Sequence, residues 1–146
     1  MISLWMARKL KAAGLAWKPV LLDFFAIPDR MMDDKIFVFS DMLATMETMY
    51  GRQVVSFQGA SEWALDSLVA SEVVWMPTEA QLRQLLEEAL AGTDNSYLRL
   101  SGNLAEHRVE IVYRDSSLTF VAGDASEAYA QALLHILGEC QSHNNG

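Results

Sequence analysis

Apolar residues recur at helical spacing most clearly in three stretches of this chain, near its beginning, its middle and its end, and most of the segments between them are short apolar or alternating runs broken by turn residues. That punctuation excludes both an all-helical bundle and a regular strand-helix-strand alternation, because each element must bury its own face at its own period. In the first stretch Ile2, Trp5, Met6, Leu10 and Ala13 share one helical face that Gly14 closes. In the second, Thr78 and Gln81 form a capping box ahead of Leu82, Leu85, Leu86, Ala89 and Leu90, predicting a helix from Glu79 to Ala91 with Gly92 as the stop. The third opens with Asp124 as N-cap and Glu127 reaching back to it. Tyr129, Leu133, Ile136 and Leu137 form its buried stripe, Ala125, Ala128 and Ala132 allow close approach, and Gly138 ends it.

The intervening runs read as strands. Val20 to Ile27 and Ile36 to Phe39 are predicted to pair through the connection Asp29 to Lys35. Residues 42–50 fit both a helix, from the spacing of Met42, Met46, Met49 and Tyr50, and an edge strand; the turn at Tyr50-Gly51 leading into Val54 to Phe57 tips the expectation to a strand. A short helix is expected over Ser61 to Leu68, with Ser61 as its N-cap, and a strand over Val73 to Met76, stopped by Pro77. Tyr97 to Leu100, Val109 to Tyr113 and Leu118 to Val121 alternate, the last two joined by a turn at Arg114 to Ser117. The expected class is therefore α+β: a mostly antiparallel sheet with N-terminal, central and C-terminal helices packed against it. The expected organisation is one domain over residues 1–140 and a flexible tail over 141–146.

A chain of 146 residues, 51% apolar, is large enough to bury roughly two-thirds of its extended surface without metal or disulfide staples. Its net charge of −8 argues against a nucleic-acid binder held by phosphate neutralisation. The charge is uneven. Arg8, Lys9, Lys11 and Lys18 precede the first acid, Asp23, and from Asp23 onward seven cations face nineteen acids, giving −12. The early cations interrupt the apolar run that a secretory signal needs, and no run approaches a membrane span. The single cysteine, Cys140, and the absence of Asn-x-Ser/Thr acceptors point to a reducing cytoplasm.

No catalytic constellation is complete. His107, His135 and His143 lack partners at metal-ligand spacing, and Cys140 lacks a neighbouring Cys or His. Asp29, Asp33, Asp34 and Asp41 lack the register of a calcium loop, and Gly59-Ala60-Ser61-Glu62-Trp63 lacks the second glycine of a nucleophile elbow. No glycine loop that cradles phosphate is present, so neither a metal nor a cofactor is expected. What stands out is Trp63 and Trp75, bracketing residues 64–74, together with eight methionines, including Met31, Met32, Met42, Met46 and Met49. Such side chains suit an adaptable contact surface. The first functional reading is thus a non-enzymatic interaction or small regulatory module, dimeric or bound to another protein, with no nucleic acid and no membrane. An alternative is a small hydrolase or ligand-binding enzyme whose polar cluster is Asp29, Arg30, Asp41, Glu62 and Asp66. A third is an acidic protein that masks a basic partner.

Ile27-Pro28-Asp29-Arg30, Phe39-Ser40-Asp41-Met42, Glu62-Trp63-Ala64-Leu65-Asp66, Trp75-Met76-Pro77-Thr78, and Gly123-Asp124 leading into Ala128 and Leu133 together resemble a family of short uncharacterised bacterial and phage-associated proteins often labelled pilus assembly proteins. The resemblance spans about residues 20–137. It implies a small intracellular bacterial α+β protein, extended after Asp41, and brings no catalytic residue with it.

Overall fold

The computed structural model describes residues 1–29, 31, 35–39, 44–57, 67–69 and 72–144. Their elements run α1 (Leu4–Ala12), β1 (Phe24–Ala26), β2 (Ile36–Val38), β3 (Ala44–Met49), β4 (Arg52–Phe57), β5 (Ser67–Val69), β6 (Val74–Trp75), α2 (Glu79–Leu90), β7 (Tyr97–Gly102), β8 (His107–Tyr113), β9 (Ser116–Ala122) and α3 (Ala125–Asn144). The fold is α+β, and every strand pairing is antiparallel. The strands form three three-stranded sheets, β2-β1-β6, β3-β4-β5 and β7-β8-β9. The chain divides into two compact units: Met1–Leu15 with Pro77–Gly146, and Ala16–Met76.

In the unit formed from the two ends of the chain, α3 is the central element. It lies across β8 and β9 and also packs against α1 and α2. Contact on several sides explains why Ala125, Ala128, Ala130 and Ala132 are all buried alongside Tyr129, Leu133 and Ile136: small side chains let neighbouring elements approach closely, and a helix covered on more than one side loses its single apolar stripe. Asp124 caps α3, its Oδ1 accepting from Ser126 N at 2.8 Å. The Glu127 carboxylate accepts from the backbone N–H of Ser3.

Gly138 does not end the helix. The chain continues helical to Asn144, with Ser142 Oγ bonded to Gly138 O at 3.1 Å and Gln141 Nε2 donating to Ala13 O at 2.7 Å. The expected flexible tail is therefore helical through residues 141–144, because its polar side chains find backbone acceptors both on their own helix and beyond the C-terminal end of α1.

The Ser3 hydroxyl caps α1, accepting from Met6 N at 3.1 Å. Gly14, at φ +98°, ends it in a Schellman arrangement in which Leu15 N donates to Leu10 O and Gly14 N to Lys11 O. Its buried face is Ile2, Met6, Ala7 and Leu10. Trp5 departs from the expected face: it is 61% exposed, with Lys9 Nζ 3.8 Å from the ring centroid. α2 carries the full capping box between Thr78 and Gln81 and buries Leu82, Leu86 and Leu90. Arg114 and Asp115, both at positive φ, form a two-residue turn of the primed type that matches strand twist. Ser116 and Ser117, expected in that turn, instead open β9.

In the unit Ala16–Met76, Phe25, Ile27, Phe39 and Val73 form a buried cluster with Trp17, Phe37 and Met46 packed on it. Phe25 and Phe37 stack at 5.6 Å between centroids, and Trp17 meets Phe39 edge to face at 6.4 Å. The predicted pairing of the first two runs holds, but β1 begins only at Phe24. Val20, Leu21 and Leu22 leave the strand because a turn at Asp23 intervenes. The segment after residue 43 is the strand β3, joined to β4 through Tyr50-Gly51, both at positive φ. Of the short helix expected over 61–68, residues 61–66, including the N-cap Ser61, lie outside the described residues. Ser67 and Leu68 belong to β5, where pairing with β4 overrides the local helical pattern.

Candidate functional site

The most unusual local geometry is the turn from Val20 to Asp23. Asp23 N donates to Val20 O at 3.1 Å, which closes a four-residue turn with Leu21 and Leu22 at its centre. Leu22 sits at φ 71°. That is the third position of a type II turn, ordinarily occupied by Gly or Asn because a Cβ is strained there. The turn is clamped from inside by Asp23, only 2% exposed. One of its carboxylate oxygens, Oδ2, accepts from Trp17 Nε1 at 2.8 Å and from Val20 N at 3.0 Å. Beyond the turn, Leu22 N donates to Phe39 O at 2.8 Å and Phe39 N to Asp23 O at 2.7 Å. The Trp17 ring, held by its bond to Asp23, packs on Phe25 at 5.8 Å.

The product of this clamp is three aliphatic side chains held in solvent: Val20 at 57%, Leu21 at 55% and Leu22 at 71% exposure. A polar turn would expose itself at no hydrophobic cost, whereas this one combines a buried carboxylate, a strained Leu and a rigid aromatic base to present an apolar knob. By composition these residues read as part of one long strand, Val20 to Ile27. The signal against that strand was an acid embedded in an apolar run directly after Lys18-Pro19, with an indole six positions before it.

Of the sequence-predicted site residues, Trp75 and Asp29 fall among the described residues. Trp75 lies on β6 opposite Phe25, half-buried, with its indole N–H buried and without a hydrogen-bond partner among the described residues. Asp29 is exposed at φ 64°. Arg30, Asp41, Glu62, Trp63 and Asp66 lie outside the described residues, as do Met32, Asp33, Asp34 and Met42. Of the methionines, Met31 is fully exposed, Met6 and Met76 are buried, and Met46 packs on the aromatic cluster.

The other chemistry-bearing groups sit in the unit that contains the helices. Cys140 is exposed, its Sγ 3.8 Å from the Tyr113 hydroxyl. Burial and the neighbouring thiol push the Tyr113 phenol above its ordinary range. His135 lies 3.9 Å from Glu139 and tilts against Phe120, while His143 sits beside Arg114. Among the described residues no group of three His, Cys, Asp or Glu side chains is placed to hold a metal ion. An open cavity of about 350 Å³ lies along the β7–β8 hairpin, lined by Arg99, Ser101, Asn103, Glu106, Arg108 and Glu110. Within it Arg99 faces Glu110 at 3.9 Å and Arg108 faces Glu106 at 3.7 Å.

No protein-family model, curated protein or solved structure matches the chain.

Proposed function

We propose that the chain is a non-enzymatic interaction module that docks on a protein partner through the aliphatic knob Val20-Leu21-Leu22, with a second copy of the chain as the simplest partner. One observation carries this reading: a buried Asp23 carboxylate and a left-handed Leu22 fix three exposed aliphatic side chains in a single conformation. Presenting apolar surface on a rigid base lowers the entropy lost on association, and burying it in a partner supplies the gain in free energy. The chemistry-bearing residues of the sequence support the same direction, since they form no complete nucleophile, acid-base pair or metal constellation. The single thiol and the family resemblance favour a bacterial cytoplasm as its setting.

The test is sedimentation velocity on the wild type and on the Leu21→Ser/Leu22→Ser double variant, with circular dichroism to check the fold. The wild type is expected to self-associate and the folded variant to run as a monomer with reduced binding of a hydrophobic dye. A strictly monomeric wild type that binds no dye overturns the reading.

A further inference from the structure

β7 lies at one side of its sheet, and among the described residues it exchanges ladder bonds with β8 alone. Its pairing runs in unbroken register from Tyr97↔Val112 to Gly102↔His107, with no proline and no bulge. Proteins ordinarily blunt such an edge with charged side chains, Pro, a bulge, a very short strand or inward charges, since unpaired backbone groups template another strand. Of these devices β7 has a single edge charge, Arg99. Arg99 is 62% exposed at its side chain, and Tyr97 and Leu100 are exposed as well.

The side chains of β7 also state what would pair with it. Leu98, Arg99 and Leu100 read apolar, cationic, apolar, with the two leucines on the sheet face that carries Val109 and Ile111 and Arg99 on the other. Opposite them β8 supplies Ile111, Glu110 and Val109. A strand on the other side of β7 meets the same three side chains and is matched by the same pattern, an acid between two apolar residues. Arg99 keeps capacity for a second carboxylate: guanidinium carries five N–H donors, and its contact with Glu110 at 3.9 Å is too long for a direct hydrogen bond. Neither edge strand of this sheet supplies this partner. A second β7 in same-face register about its centre sets Arg99 against Arg99, and β9 contains no charged residue.

We propose that the free edge of β7 takes up an extended segment of a different protein as a fourth strand, with an acidic residue between two apolar ones placed opposite Arg99. This goes beyond docking through the Val20-Leu21-Leu22 knob and uses a separate surface.

The experiment is an amide-resolved NMR titration of the full chain with three kinds of ten-residue peptide: one with a Val-Glu-Ile centre, its Val-Lys-Ile counterpart, and two versions of the first N-methylated on odd or on even residues. The expected result is shifts at the amides of Tyr97 to Gly102 with the Val-Glu-Ile peptide, about tenfold weaker binding of the lysine peptide, and loss of binding for one of the two methylated versions. Arg99→Glu is expected to reverse the charge preference; should that variant fail to fold, the wild-type comparison of the two peptides decides alone. No shift in β7 at millimolar peptide, equal binding of both charges, or binding of both methylated versions overturns the proposal. Shifts confined to Val20 to Leu22 also overturn it, while leaving the knob reading intact.

Discussion

Replacing Asp23 with Ala removes the one oxygen on which the Val20 turn and the Trp17 indole converge. Two donors, Trp17 Nε1–H and Val20 N–H, then lose an acceptor at a position only 2% exposed. A buried donor left without a partner costs about 1–3 kcal/mol. The two together, partly relieved by water entering the vacated space, set an expected loss of about 2–5 kcal/mol, a large share of the stability of a small protein. Asp23→Asn keeps an oxygen that can accept both bonds but forfeits their charge assistance, so its cost is about 1–2 kcal/mol. Trp17→Phe removes one donor and keeps the ring that packs on Phe25 and Phe39. Urea denaturation followed by far-ultraviolet circular dichroism measures all three, and a double-mutant cycle between positions 17 and 23 isolates their coupling, expected at about 1 kcal/mol or more. An Asp23→Ala midpoint within error of wild type, or an Asn variant as damaged as the Ala variant, refutes the clamp.

Asp124→Ala is expected to cost about 1 kcal/mol through loss of the α3 cap. Burial raises the Asp124 pKa, but the Ser126 hydroxyl, the Met1 ammonium and the backbone N–H groups of Ser126 and Glu127 outweigh it and hold the carboxyl below its ordinary range. A depressed folded-state pKa contributes stability above the unfolded value of about 4 and loses it as pH falls through the folded value, so the difference between wild type and variant in urea midpoint should shrink on acidification below about pH 4. Gly102→Ala places a Cβ 2.9 Å from both Glu106 O and His107 Cδ2; the hairpin must shift, and a loss of about 1–3 kcal/mol is expected in thermal unfolding. Leu86→Ala, at a fully buried position on α2, should cost about 2–5 kcal/mol, well above the roughly 1 kcal/mol expected for Thr78→Ala at the cap of the same helix.

The helices were legible in the sequence wherever their termini carried their own chemistry. Thr78 and Gln81 set the start of α2 and Gly14 the end of α1, because caps are local hydrogen bonds between residues close in the chain. Gly138 misled, since a glycine is a stop only if the following residues gain nothing by staying helical, and here Gln141 gains the carbonyl of Ala13. The strands of the β7-β8-β9 meander alternate clearly because one face is covered by α3 and the other is solvated. The aliphatic knob was illegible for the opposite reason. Val20, Leu21 and Leu22 look like strand interior by composition, and only the pairing of Asp23 with Trp17 and Val20 turns them outward. Trp5 likewise obeys helical spacing yet projects into solvent, because the covered sector of α1 is centred on Met6 and Leu10.

The unit that holds the three helices of the described residues is built from two separated stretches, Met1–Leu15 and Pro77–Gly146, with Ala16–Met76 between them. In chain order α1 precedes the Ala16–Met76 unit and α3 follows it, so α1 cannot dock on α3 until that whole unit has been synthesised. The middle unit has its whole sequence available much earlier. A loop as long as that insertion also carries a closure entropy: shortening it to about five residues should favour docking of α1 by about 2 kcal/mol. A chain with residues 16–76 exchanged for a short Gly/Ser linker is therefore expected to refold faster than residues 1–146, while linking residue 146 to residue 1 and opening the chain inside the middle unit would make the helical unit contiguous and able to fold first.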